Sequence, residues 1–192
     1  MNNKIDILHK NNRESNEITR ECIENALIEL MKKKKFEDIT ITDICEKAGV
    51  SRTSYYRNYE SKDDILSEYI HSINDELSNT LLKYNAIDNT KESWVALLTK
   101  AKELSSKFKI LINANCGEKI MMEVAKSMNK YTSKENKGLY YSNIYWSGSI
   151  VFVLEIWIIN NFDISINELA EIASNMMLNG IHTIKEYGNQ CE

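Results

Sequence analysis

The stretch from 40 to 62, TITDICEKAGVSRTSYYRNYESK, constrains this chain more than any other. Its first part places apolar residues at i, i+3, i+4 and i+7, the spacing of one helix face about two turns long. These residues are Ile41, Ile44, Cys45 and Ala48. Thr40 and Asp43 have the spacing of a capping box at the start of that helix. Gly49 follows at once and can take the left-handed conformation that ends a helix.

A second short helix is predicted directly after this turn. Ser51 is its predicted N-cap, and Arg52 its first residue. Helix, turn with Gly, helix is the helix-turn-helix pattern. The second helix carries polar groups almost all round, on Arg52, Thr53, Ser54, Tyr55, Tyr56, Arg57 and Asn58. We expect so short and polar a helix where neighbouring elements stabilise it and where its polar groups face base edges and phosphates. The alternative reading is a solvated surface helix.

These positions resemble the DNA-binding domain of TetR/AcrR-family transcriptional regulators over roughly residues 18–66. The matching positions in the helix-turn-helix and after it are Thr40, Asp43, Ile44, Ala48, Gly49, Val50, Ser51, Tyr56, Arg57, Tyr59, Ser61 and Lys62. Upstream, Ile23, Ala26, Leu30 and Phe36 match the first helix of the family. The departures are Lys35, Cys45, Tyr55 and, at the matched aromatic position, Tyr59 in place of the usual Phe, and none of them removes a donor that DNA contact needs.

The resemblance implies an all-α fold of about nine helices. Residues 1–15 are expected to be a disordered tail. Residues 16–62 would form the three-helix DNA-binding domain, and residues 63–192 a helical domain for effector binding and dimerisation. The family further implies a homodimer through the last two helices, a near-palindromic double-stranded DNA operator and a small-molecule effector of unknown identity. The expected function is a repressor that the effector releases from its operator.

Individual DNA contacts follow from the chemistry of the matched side chains. Helix N-termini, hydroxyls and lysine suit phosphates, which makes Thr40, Ser51, Tyr56 and Lys62 the predicted phosphate contacts. Arg52, Thr53 and Arg57 are predicted to face base edges. Tyr55 and Tyr59 are expected to pack against the first and fourth helices.

The remainder of the chain shows further helical patterns. The longest apolar segment, 139–162, is interrupted by Glu155 and several polar residues, and its unbroken apolar part is shorter than about 18 residues. We therefore expect a buried helix and no membrane span. Ser165 and Glu168 predict a capping box for a final helix. These two helices have more apolar surface than one chain can bury, which favours a second copy as partner.

An effector pocket in the C-terminal helices is the second site that the resemblance implies. Aromatic residues and pliable methionines with a few hydroxyls suit such a pocket. The candidates are Trp94, Phe108, Met121, Met122, Tyr141, Tyr145 and Trp146. Each is also a plain core candidate, and nothing among them indicates a class of ligand.

Composition excludes little but agrees with this interpretation. The absence of Pro and the low Gly count of 6 favour long helices. A net charge of −4 is uninformative, because Arg52, Arg57 and Lys62 dominate the local charge of 51–62. The first ten residues lack the apolar core of a signal peptide, so we expect a cytoplasmic protein. Cys22 and Cys45 are interpreted as core residues. Cys116 is a candidate redox sensor, although plain burial is the preferred reading.

Three other functional readings stay open. Scattered histidines and the lack of a catalytic or metal-binding pattern predict no enzyme activity, no cofactor and no metal site, although an uncharacterised helical enzyme is the remaining alternative. The same fold also serves activators. It serves co-regulators that act through a protein partner, as regulators of dihydroxyacetone kinase operons do.

Overall fold

A computed structural model describes the backbone of residues 2–81, 83, 90–130, 132, 133 and 135–188. It describes side chains over 15–81, 83, 90–130, 132, 133 and 135–179. Over these residues the chain is helical and has no strand, which confirms the predicted all-α class. The α-helices are α1 (Asn2–Met31), α2 (Ile41–Ala48), α3 (Arg52–Asn58), α4 (Lys62–Leu81), α5 (Thr90–Glu103), α6 (Ser105–Asn113), α7 (Gly117–Asn129), α8 (Lys137–Ile159) and α9 (Ile166–Gly188). A short 3-10 helix, Phe36–Asp38, lies between α1 and α2.

The chain divides into two compact units. The head unit comprises Met1–His71 and Ile110–Glu123, and the helical unit comprises Ser72–Lys109 and Val124–Glu192. These limits differ from the predicted domains 16–62 and 63–192, because the first ten residues of α4, the end of α6 and the first half of α7 join the head. One contact of the α6–α7 turn within the head is a hydrogen bond from the Phe36 amide to the Ala114 carbonyl at 3.1 Å. No pattern in the sequence predicts that hydrogen bond.

The first helix begins much earlier than expected. Residues 2–15 are helical and continuous with α1, whereas we predicted a disordered tail over 1–15. The physical reason is that neither Gly nor Pro interrupts this segment, so the polar residues continue the helix that the amphipathic part establishes.

The core of the head unit forms where α1, α2, α3 and α4 meet. Its fully buried side chains are Ile23, Leu27, Met31, Ile39, Ile44, Tyr55, Ile65 and Leu66. None of the four helices would be stable alone, because each has only a narrow apolar face. The burial of these side chains against one another holds the helices in place.

In the helical unit, α5 packs along α9 and also contacts α8. Trp94, Leu97, Leu98 and Ala101 form the buried face of α5, and an ion pair joins Lys91 to Glu171 on α9. The predicted N-cap of α9 is present, because the Ser165 hydroxyl accepts from the Glu168 amide at 3.2 Å.

The expectation that the apolar segment 139–162 is a buried helix was wrong. By length and composition α8 could cross a membrane, and only 22% of its most apolar window is buried within the chain. Only Ser147, Leu154, Trp157 and Ile158 are buried along it. Apolar side chains are distributed around the whole helix, whereas the described residues bury one side of it, so large apolar side chains stay exposed.

Tyr55 carries a polar group into the core of the head. Its side chain has no exposed surface, and within the described part of the chain its hydroxyl has no hydrogen-bond partner. Burial raises the pKa of this phenol to about 12. A buried donor left unsatisfied costs roughly 1–3 kcal/mol, so the ring stabilises the head while its hydroxyl opposes that effect.

We predict that Tyr55→Phe increases the free energy of unfolding by about 1 kcal/mol, because it removes the unsatisfied hydroxyl and keeps the ring. Urea denaturation measures the change. Tyr59→Phe is the matched control: its hydroxyl donates to Glu68 at 3.2 Å, so the same deletion there should lower stability. Equal losses in both variants would contradict the prediction.

Candidate nucleic-acid interface

The start of α2 is fixed by a reciprocal cap. The Thr40 hydroxyl accepts from the Asp43 amide at 3.1 Å, and the Asp43 carboxylate accepts from the Thr40 amide at 2.8 Å. The Thr40 hydroxyl also donates to that carboxylate at 2.8 Å. These hydrogen bonds, the backbone one first, hold the pKa of Asp43 below its usual value. The predicted capping box is confirmed, and the Thr40 hydroxyl hydrogen is already used within it.

The turn between α2 and α3 has the geometry that its glycine allows. Gly49 has φ 68° and ψ 29°, a left-handed conformation that glycine adopts without steric cost. The Val50 amide then donates back to the Cys45 carbonyl at 3.0 Å, which closes the end of α2. On the far side of the turn the Ser51 hydroxyl accepts from the Ser54 amide at 3.0 Å. Both caps confirm the expectations from the sequence.

The outer side of α3 is polar and exposed, while its inner side is buried. Arg52, Thr53, Tyr56 and Arg57 are all exposed, and together they account for the contacts predicted on this helix. Arg52 donates to the Thr42 hydroxyl of α2 at 2.6 Å, so its guanidinium is held across the turn. The inner side carries Tyr55, and Tyr59 follows at the helix end. Both are buried, as expected.

Lys62 occupies a different position from the one that its predicted role requires. Its ammonium donates to the carbonyls of Phe36, Glu37 and Ile39 at 2.7, 3.0 and 2.7 Å. It also lies 4.6 Å from the centroid of the Phe36 ring. An ammonium has three donors, so all of them are used inside the head. Lys62 therefore fastens the α1–α2 connection to α4, and no donor is left for the predicted phosphate contact.

The geometry of α1 to α4 agrees with a comparison of the sequence with known protein families. Residues 23–69 match the family model of bacterial regulatory proteins of the tetR family. The head of this chain therefore carries the DNA-binding domain of the TetR family. The match covers the last nine residues of α1, the helix-turn-helix and the first two turns of α4. A search of the curated proteins found no match. The resemblance that the sequence indicated is thus confirmed, together with DNA binding as the role of the head.

The sequence did not predict the contacts that Arg20 makes at the C-terminus of α3 in this TetR-family head. Arg20 of α1 donates to the Asn58 carbonyl at 2.9 Å and to the Glu68 carboxylate at 2.6 Å. The hydrogen bond to Glu68 raises the pKa of Arg20. Arg20 lies 38 residues before its carbonyl partner and 48 before its carboxylate partner, so no local spacing reveals these contacts.

The seven predicted effector contacts do not form one buried cluster. Trp94 and Phe108 are buried in the helical unit, while Tyr141 and Tyr145 of that unit are exposed and Trp146 is half-buried. Met121 and Met122 are exposed and belong to the head unit. The difference arises because α7 and α8 turn these side chains towards solvent. Their role in binding an effector stays a prediction.

A groove of about 720 Å³ lies elsewhere in the helical unit, along α5. None of the seven residues lines it. The side chains that line it are of both charges, with hydroxyls, an amide and two small apolar groups. They are Thr80, Lys83, Lys91, Glu92, Val95, Ala96, Thr99, Lys100, Glu103 and Asn167. Among the described residues, no group of three His, Cys, Asp or Glu side chains is placed to hold a metal ion.

The cysteines divide by burial. Cys22 is exposed, contrary to its interpretation as a core residue, because it lies beside the apolar stripe of α1 and not on it. Cys45 and Cys116 are buried, and Cys191 lies outside the described residues. Burial raises the pKa of Cys116 to about 11. The thiolate is the reactive form, so this environment opposes a redox-sensing role for Cys116.

We predict that Lys62→Met lowers the free energy of unfolding by roughly 2 kcal/mol, because three carbonyls lose a charged donor. The salt dependence of DNA binding, measured below the melting temperature of the variant, should stay unchanged. A salt slope reduced by about one, with normal stability, would restore the phosphate role instead. Lys47→Met, at an exposed position on α2, is the control for loss of charge from the head.

Proposed function

We propose that this TetR-family regulator binds a near-palindromic DNA operator as a homodimer and represses transcription until a small-molecule effector releases it. The observation that carries the proposal is the exposed polar side of α3, capped at Ser51 and anchored by Tyr55. Arg52, Thr53 and Arg57 would face base edges in the major groove, while Ser51 and Tyr56 would hold phosphates. Thr40 would contact a phosphate only if the cap opened, since its hydroxyl hydrogen and its backbone amide both donate to Asp43.

A second copy of the chain is the proposed partner of α8 and α9. On α8, large apolar side chains at a helical spacing are exposed: Tyr141, Tyr145, Phe152, Ile156 and Ile159. On α9, the exposed apolar side chains are Ile172, Met176 and Leu178. We name these eight residues the apolar face. A face of this size is uncommon on a monomer in water, and two-fold pairing would cover it on both copies at once.

Dimerisation gives DNA binding its affinity and its spacing. One α3 helix reads few base pairs, whereas two heads at a fixed separation read two half-sites roughly 34–36 Å apart in successive major grooves. Linking the two binding events raises affinity by about 10²–10⁴-fold without a new contact. The proposed repressor therefore needs the apolar face as much as it needs α3.

The effector would act by binding the released form more tightly than the DNA-bound form. Helices α4, α6 and α7 each contribute residues to both compact units, so a movement in the helical unit has continuous helices through which to reach the head. The groove along α5 is a candidate site, and its lysines and glutamates suit a polar, charged molecule better than an apolar one. A metabolite and drug panel read by thermal shift tests for any effector.

Selection of bound duplexes from a random pool tests operator binding directly, and a near-palindromic consensus is expected. Placing that site before a reporter gene then distinguishes repression from activation. Deletion of the regulator should raise transcription. A fall in transcription would instead favour an activator, and failure to bind any duplex at low ionic strength would exclude both.

We predict that Arg52→Ala relaxes sequence preference at one position of each half-site by about 1–3 kcal/mol, because a bidentate guanine contact is lost. Competition between the selected duplex and single-base variants measures this preference. Lys47→Ala removes the same charge from an exposed position on α2 and should leave the preference unchanged. An unaltered preference in Arg52→Ala would remove this residue from base recognition.

We predict that Phe152→Glu converts the dimer to a monomer and weakens operator binding by at least about 100-fold. Sedimentation equilibrium and fluorescence anisotropy measure the two effects. Met128→Glu places the same charge on an exposed apolar position of α7, outside the apolar face, and should stay dimeric. A Phe152→Glu protein that remains a dimer would reject α8 as the interface.

A further inference from the structure

A guanidinium from α1 contacts the C-terminus of α3. The helix has only seven residues, and the last carbonyls of any α-helix lack partners within the helix. Asn58 is its last residue, and its carbonyl accepts from the Arg20 Nη1 at 2.9 Å. A cation at this end also interacts favourably with the helix dipole. Arg20 therefore satisfies a backbone group at the C-terminus of α3, as Ser51 does at the N-terminus.

The guanidinium is itself fixed by residues from beyond α3. Its Nη2 donates to both oxygens of the Glu68 carboxylate on α4, to Oε1 at 2.6 Å. Its central carbon lies 4.4 Å from the centroid of the Tyr59 ring. The Tyr59 hydroxyl donates to Glu68 Oε2 at 3.2 Å, which closes the network. We name Arg20, Asn58, Tyr59 and Glu68 the Arg20 network.

We propose that Arg20 is a positioning residue for operator reading: it fixes the end of α3 on α1 and α4, and so sets the angle at which the outer side of α3 meets DNA. This inference rests on the proposed function. It assigns to Arg20 no contact with nucleic acid, and it assigns to Glu68 the task of orienting Arg20.

Two observations separate this role from a direct phosphate contact. The guanidinium is already paired with a carboxylate, and that carboxylate is about half exposed beside it. Its negative charge would repel a phosphate from the same place. In addition, the planar fork of Arg20 serves two acceptors on different helices and stacks on an aromatic ring. A lysine ammonium cannot reproduce that arrangement.

Three variants of the network and one control test the proposal. Arg20→Met removes the charge, Arg20→Lys keeps the charge but loses the fork, and Glu68→Gln weakens the orienting partner. Lys32→Met is the control, because Lys32 directly follows α1 and pairs with Glu29 of that helix, and so links no two helices. Circular dichroism confirms that each variant is folded before binding is measured.

The first measurement is the affinity of each full-length variant for the selected duplex and for a scrambled duplex, over a series of salt concentrations. All three network variants should bind the selected duplex about tenfold more weakly, with scrambled binding and the salt slope unchanged. The double variant Arg20→Met/Glu68→Gln should be no weaker than Arg20→Met alone. A loss on both duplexes with a salt slope reduced by about one, restored by Arg20→Lys, would show a phosphate contact and overturn the proposal.

The second measurement needs no DNA. Hydrogen exchange of a peptide covering α3 should be about threefold faster in Arg20→Met and Glu68→Gln, and unchanged in Lys32→Met. Unchanged exchange in the two network variants overturns the positioning role. If the wild-type protein ignores every duplex, the proposed function fails, while the exchange of α3 still decides whether Arg20 fixes this helix.

Discussion

Burial of two tyrosines at the inner side of α3 is the interaction on which the head depends. A helix of seven residues has too few internal hydrogen bonds to offset its conformational entropy. Tyr55 has no exposed surface and Tyr59 only 4%, so α3 gains its stability from the core and not from its own sequence. The arrangement leaves the opposite side free for polar residues. A recognition surface can thus be wholly polar, because its stability comes from elsewhere.

Some cations of the head likewise serve its internal structure. A lysine or arginine in a DNA-binding domain is readily assigned to phosphates, yet two cations of this head are used internally. Lys62 satisfies three carbonyls of the α1–α2 connection, and Arg20 satisfies the end of α3. Both donate to backbone carbonyls at or beside helix ends, which a positive charge stabilises without any nucleic acid. Charge alone therefore does not identify a DNA contact.

The helical unit presents the opposite problem, an excess of apolar surface. Helix α8 carries apolar side chains around its whole circumference, and the described residues bury one side of it. Glu155, Ser142 and Asn143 interrupt the apolar run and argue for a protein partner over a lipid one. The proposed second copy would suit this chemistry, because the same face on each copy would then cover the other. The oligomeric state and the spacing of the two heads would follow from one set of contacts.

Local sequence patterns determined those features that depend on neighbours in the chain. The caps at Thr40 and Ser51, the left-handed Gly49, the nature of α2 and α3 and the family of the head were all predictable, because each rests on residues a few positions apart. Tertiary structure alone decided the use of Lys62, the network around Arg20, the junction of the α6–α7 turn with the head and the exposure of α8. These depend on contacts between residues far apart in the chain, and no periodicity records which distant carbonyl or carboxylate a side chain will reach.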